Sequence, residues 1–282
     1  MGIRGKKAGL LLALSGAWAV VFLVSGFLLI RGIWQDRRQQ ETFDELRGRL
    51  TDGLVREANT DPGYLDREGG KPLDRDISPA QSWKAQWEDK ARERLRMYRS
   101  LKMDNPDMAG WVKIEGTRID YPVMHSPGRE DYYLNRDFYG RDSTYGTPFL
   151  MEQCRYERPR TSLLISGHHM KNGAMFAQLQ DYTDQAFWEE HPFVQFDTVE
   201  EAGSYEVAAV AAISASKDQM VWQSLLFPRG KEEFEGAWEQ VKGLCFYDTG
   251  VELFWGDELL ALATCEYTVR DGRLLVIARR IV

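Results

Sequence analysis

From Ala8 to Ile30 the chain carries no charged side chain, and Leu, Val, Phe and Ala dominate. Such a run is long enough to cross a bilayer, which takes roughly 20 helical residues. A cleaved leader would have a shorter apolar stretch, about 7–15 residues, followed by a small-x-small cleavage site. Here Arg31-Gly32-Ile33-Trp34 follows instead. Residues 1–31 are therefore expected to form a short stub and an uncleaved, single-pass transmembrane anchor. Arg4, Lys6 and Lys7 flank one side and Arg31, Arg37 and Arg38 the other, so the charge rule leaves orientation open.

Residues 32–94 read as a helical and linker segment. Ile33, Phe43, Leu46, Leu50 and Leu54 recur at mostly helical spacing. Asn59 to Pro79 is rich in Asp, Gly and Pro and reads as a loop. Ser78-Pro79 then opens a second helix pattern, with Trp83, Trp87, Ala91 and Leu95 four apart. From about Asn105 the texture changes to short alternating runs. Strands are expected over 111–114, 116–123, 147–151, 162–166, 193–198, 205–213, 258–264 and 273–281, with helix-like stretches over 173–182 and 231–244. Many short strands and few helices predict a mainly β domain over 95–282, a closed or nearly closed barrel with helical insertions. The stretches 182–191 and 217–231 are expected to be loops beside the substrate.

A net charge of −7 and the lack of a basic stripe argue against a nucleic-acid partner. Cys154, Cys245 and Cys265 lie far apart, with no CxxC and no histidine at ligand spacing, so no zinc site is expected. No cofactor-binding motif is present either. Cys154 and Cys245 read most simply as small buried side chains, though an oxidising compartment could pair them. Cys265 differs: it ends the apolar run Leu262-Ala263-Thr264 and precedes polar Glu266, a placement suited to attack. A nucleophilic thiol needs a proton-transfer partner and a donor for the developing oxyanion. His125 sits at a turn before Ser126-Pro127-Gly128, and His191 precedes Pro192 at a helix end. His168 and His169, in Gly167-His168-His169-Met170, follow the strand ending at Ser166; a surface loop that happens to hold histidines is the plain alternative. Glycine before the pair would let the backbone turn sharply.

These pieces, taken together and in order, resemble the sortases, and among them class B. The resemblance runs from about Leu95 to Val282. It rests on Gly167-His168-His169-Met170-Lys171-Asn172-Gly173-Ala174-Met175-Phe176, on Leu262-Ala263-Thr264-Cys265 and on Gly272-Arg273-Leu274-Leu275-Val276. Asn105-Pro106-Asp107, Gly116 to Met124, Tyr133 to Gly140 and Gly146 to Leu150 look similar as well, as does a helix at 231–244. The resemblance implies a sortase-like barrel and a cysteine transpeptidase. Its site would comprise His168, the histidine directly after glycine, the nucleophile Cys265 and Arg273, with the backbone N–H of Glu266 assisting at the oxyanion. Partners would be surface proteins with a C-terminal sorting motif, and an amine acceptor such as a peptidoglycan precursor or a pilin lysine, at the outer face of the cell membrane. Many class B members carry Ser where Ala263 stands. A cysteine peptidase that releases product to water and a membrane-tethered module without catalysis are the alternatives. A papain-like order would put Cys before His, the reverse of the order here. Arg270 competes with Arg273 for the oxyanion role. A two-residue turn at Asp271-Gly272 would set those two arginines opposite each other and Cys265 on the other face, so catalysis by Arg273 predicts an open loop over 266–272.

Overall fold

The computed structural model describes the backbone of residues 3–60, 79–129, 131–157, 162–214, 218–266 and 272–281. The expected linker therefore lies mostly outside the described residues. The chain divides into two compact units, Met1–Glu45 and Leu46–Val282. Helix α1 (Ile3–Thr60) runs through the apolar stretch and the polar periodic segment as one 58-residue helix, and α2 spans Pro79–Asp104. The side chains of residues 3–17 and several beyond them in α1 are outside the described set. Among the described residues no helix is long and apolar enough to cross a membrane.

Eight strands make the body of the second unit: β1 (Met108–Lys113), β2 (Asp120–Met124), β3 (Phe149–Leu150), β4 (Ser162–Ser166), β5 (Phe193–Thr198), β6 (Ser204–Ser214), β7 (Leu259–Glu266) and β8 (Gly272–Arg280). They close into a barrel in the order β1-β2-β3-β4-β7-β8-β6-β5. Closure removes the exposed sheet edges that an open sheet of this size would present. One face of the sheet fills the inside with Val112, Phe196, Leu260, Leu262 and Val276, while Trp111 and Ile277 are buried on the other face, all almost fully buried. Each expected strand is present, with ends displaced by a few residues; the 116–123 run shortens to β2 because Gly116 and Thr117 form the preceding turn.

Two expectations about loops fail. Residues 185–190 are α3 (Gln185–Glu190), started by the Asp184 carboxylate accepting from Ala186 N at 3.0 Å. Residues 219–226 are α4 (Gln219–Leu226), which buries Trp222, Leu225 and Leu226 on one side. Their spacing of three and four was the helical signal. Helix α5 (Lys231–Lys242) matches expectation and packs against α4 and β6. The 173–182 stretch is helical only from Ala177, as a 3₁₀ segment to Thr183.

The last helix before the barrel is fastened by one buried carboxylate. Asp197 on β5 is fully buried and accepts from Arg94 Nε (2.7 Å), Gln195 Nε2 (2.8 Å) and Tyr98 Oη (3.3 Å) at one oxygen, and from Gly203 N (3.1 Å) at the other. Tyr98 also stacks on Trp111 of β1, centroids 6.0 Å apart. Arg99 and Lys102 add bonds to Val199 O and Met108 O. A buried charge is tolerable only when its partners are present. Arg94→Met should therefore cost about 3 kcal/mol in urea unfolding, and adding Asp197→Asn to that variant should recover part of the loss. A cost below about 0.5 kcal/mol would show that α2 docks by apolar contact alone.

Candidate active site

The register of three strands brings the candidate residues together. β4 and β7 run parallel, pairing Ser162 with Leu259 through Ser166 with Ala263. β7 and β8 run antiparallel, pairing Leu259 with Arg279 through Cys265 with Arg273 and Glu266 with Gly272. Directly opposed residues share a face, so the thiol of Cys265 and the guanidinium of Arg273 leave the barrel on the same side. A two-residue turn at Asp271-Gly272 is incompatible with this register. Five residues, 267–271, join the strands, and Arg270 lies among them, outside the described residues.

The pairing can be specified further. Ala263 O accepts from Gly167 N at 3.0 Å, so it points toward β4. Residues two apart on a strand point their carbonyls the same way, so Cys265 O faces β4 too. That makes Cys265–Arg273 a non-hydrogen-bonded pair of the β7–β8 ladder, the closer type, with Cα atoms about 4.5 Å apart. Glu266, one residue on, directs its N–H toward β8 and its partner Gly272. Cys265 is half-buried and Arg273 exposed. The Arg273 guanidinium donates to Gly272 O at 3.1 Å.

His168 follows β4 by two residues at the same rim. Its Nε2 lies 2.7 Å from Leu134 O. A carbonyl can only accept, so Nε2 carries the proton here. His168 O in turn accepts from Phe176 N at 2.9 Å, which folds the 168–176 segment back on itself. Gly167 does not have positive φ, so the sharp turn expected of it is not its task. A Cβ there would lie 2.7 Å from the ring of Phe176, which is fully buried. Glycine is needed so that this ring can pack against the backbone at 167.

The remaining motifs hold the Leu134 carbonyl in place. Asn105 Nδ2 donates to Tyr133 Oη (2.8 Å) and Phe138 O (2.5 Å), and Tyr133 Oη donates to Asp107 Oδ2 at 2.8 Å. Arg129 pairs with the same Asp107 oxygen. Burial, together with the Asp107 carboxylate, pushes the Tyr133 hydroxyl well up, so it stays a donor. Asp137 accepts from Tyr139 N, Arg141 N and Arg141 Nε, closing the turn after it. Gly146, at φ +60°, lets the chain pass where any side chain would strike the Leu134 and Tyr133 carbonyls. Leu134 was not singled out in the sequence because its contribution is a backbone oxygen. A residue of any type offers one.

His125 and His191 stand elsewhere. His125 packs edge-on to Tyr156, and His191 lies against Phe187. Cys154 and Cys245 are both free thiols. Burial pushes the Cys154 thiol up to about 11 and raises that of Cys245 as well, so neither supplies much thiolate at neutral pH.

With this geometry in view, the family is unambiguous. The sortase domain model matches residues 112–281, and the chain belongs to the sortase family. Within that family it is a class B sortase, a cysteine transpeptidase. It is 28% identical to sortase B of Staphylococcus aureus over 194 residues, covering 67% of this chain and 77% of that one. It is 32% identical to sortase B of Listeria monocytogenes over 181 residues, covering 63% and 71%. The solved S. aureus sortase B–substrate complex shares the fold, with a TM-score of 0.66, 21% identity and coverage of 88% of this chain and 98% of that one. The alternative of a non-catalytic module falls with this assignment.

Alkylation by iodoacetamide at pH 7 should concentrate on Cys265. Burial keeps the Cys154 thiol protonated at that pH. Peptide mapping should place most of the label on Cys265, and Cys265→Ala should lower total incorporation at least about tenfold. Equal labelling of all three thiols would remove the argument from burial.

Proposed function

We propose that this sortase cleaves a C-terminal sorting motif after Thr and passes the acyl group to an amine of the cell wall or a pilin. The observation that carries the reading is the β7–β8 register, which sets Cys265 beside Arg273 with His168 on the adjoining strand end. The thiolate of Cys265 attacks the threonine carbonyl carbon. The C–N bond breaks, and His168 gives the leaving amine its proton. The thioester that remains is attacked by the acceptor amine, the C–S bond breaks, the amine's proton returns to His168, and Cys265 leaves as the thiolate.

Arg273 faces the same side as the thiol and stabilises the oxyanion. Its single bond to Gly272 O is easily exchanged for one to substrate, since it is exposed and uses a neutral acceptor. The N–H of Glu266 is a second donor once the last rung with Gly272 opens. A preorganised donor of this kind is worth about 10²–10³ in rate. His168, bonded to Leu134 O, must turn or exchange that bond to reach the leaving group.

The reading also places the enzyme at the membrane, with the catalytic unit outside. Support comes from the uncharged run 8–30 and from α1 itself. Trp18, Phe22, Leu23, Phe27, Leu28 and Ile30 are all more than half exposed to solvent, so among the described side chains this helix presents apolar groups all round. An anchored enzyme meets membrane-tethered substrates more often than a free one.

The test is to incubate the protein with a peptide library, with and without primary amines, and to look for a thioester on Cys265 by mass spectrometry. Thioester followed by amine-dependent ligation is the expected result; hydrolysis unaffected by any amine would leave a peptidase. Cys265→Ala and His168→Ala should each abolish turnover. Arg273→Lys should lose about 10²-fold in kcat/KM, because lysine keeps the charge and not the planar fork of donors. If Arg273→Lys stays within threefold of the parent, the oxyanion donor is another group.

A further inference from the structure

The parallel ladder between β4 and β7 does not stop where the backbone does. Its last main-chain rung is Gly167 N to Ala263 O, 3.0 Å. The next carbonyl on β7 facing β4 belongs to Cys265, and a regular ladder would meet it with the N–H of residue 169. The chain has already turned away there: His169 bridges to Met175, whose φ of +59° belongs to a tight reversal. The ring of His169 takes the vacant rung instead, with Nδ1 3.0 Å from Cys265 O. Thr264 Oγ1 adds a second crossing bond, to Gly167 O at 2.9 Å. The carbonyl only accepts, so Nδ1 of His169 carries the proton.

We infer that His169 is a positioning residue for the nucleophile, acting as a side-chain rung that fixes the peptide plane between Cys265 and Glu266. The consequence follows from planarity. In a trans peptide the C=O and the N–H point in opposite directions. Holding Cys265 O toward β4 therefore aims the Glu266 N–H toward β8, the side on which Arg273 stands. One ring bond thus fixes the backbone that carries the thiol and orients a candidate oxyanion donor at once. Among the described residues, no rung of the β4–β7 ladder lies beyond this bond.

The role rests on the function proposed above, and it differs from acid–base catalysis: His169 acts by donating one hydrogen bond and needs no change of protonation. An asparagine side chain can place an N–H near the position of Nδ1; alanine cannot. The full chain in detergent micelles is assayed for acyl-enzyme formation in single turnovers. His169→Ala should lower the acylation rate about tenfold, the effect of one lost hydrogen bond at a reacting backbone, with KM for the donor peptide within twofold. His169→Asn should recover to within about threefold of the parent, with an unchanged pH profile. Equal impairment of the Ala and Asn variants, or a pH limb that disappears in His169→Asn, would overturn the assignment. A readout independent of turnover is the ¹⁵N spectrum of the histidine rings: His169 should be the Nδ1–H tautomer. Finding Nε2–H there would overturn the proposal even if no donor peptide were found. Failure of every peptide to acylate Cys265, with the Nδ1–H tautomer intact, would instead count against the proposed function.

Discussion

The parallel pairing of β4 with β7 is the constraint on which the site depends. It brings a strand end from the middle of the domain beside one from near the C-terminus. The histidine loop and Cys265 thereby share a rim although His168 and Cys265 are about 100 residues apart. β8 then lies against the other edge of β7 and brings Arg273 to the same face as Cys265. A slip of one residue in either ladder would send the thiol or the guanidinium to the opposite face. The long β6–β8 and β7–β8 ladders make such a slip expensive, because each step would expose Leu274, Val276 and Ala278 or bury charge in their place.

Around that register the polar side chains act mainly on backbone. Asn105, Tyr133 and Asp107 secure the turn that presents Leu134 O to His168; Thr264 and His169 tie the β7 end to the histidine loop. Buried hydrogen bonds of this kind bring modest net stability when made and cost more when one partner is removed. Their value here is geometric. They hold two strand ends and two loops in one arrangement.

Much of this was legible along the chain. Short apolar runs marked the strands: alternation appears where one face is exposed, whereas β4, β7 and β8, buried on both faces, read as nearly continuous apolar runs. Cys265, His168 and Arg273 stood out through ordered motifs. The segments around 185–190 and 219–226 were misread as loops: each helix is short, and its apolar residues have meaning only against neighbours that the sequence does not place. Leu134 was invisible since it acts through its carbonyl. Gly167 was noticed for the wrong physical reason, a turn, when what it provides is room for the ring of Phe176.

By itself, then, the amino-acid sequence determined the strand pattern and singled out a candidate nucleophile with its candidate partners, because periodicity and residue chemistry are local properties. Only the tertiary structure decided that Arg273 sits across from Cys265, that His169 fills a rung of the ladder, and that Asp197 fastens α2. Each is a matter of strand register or of contact between residues far apart in the chain. Neither is encoded at any single position, since register is settled by the packing of the whole barrel.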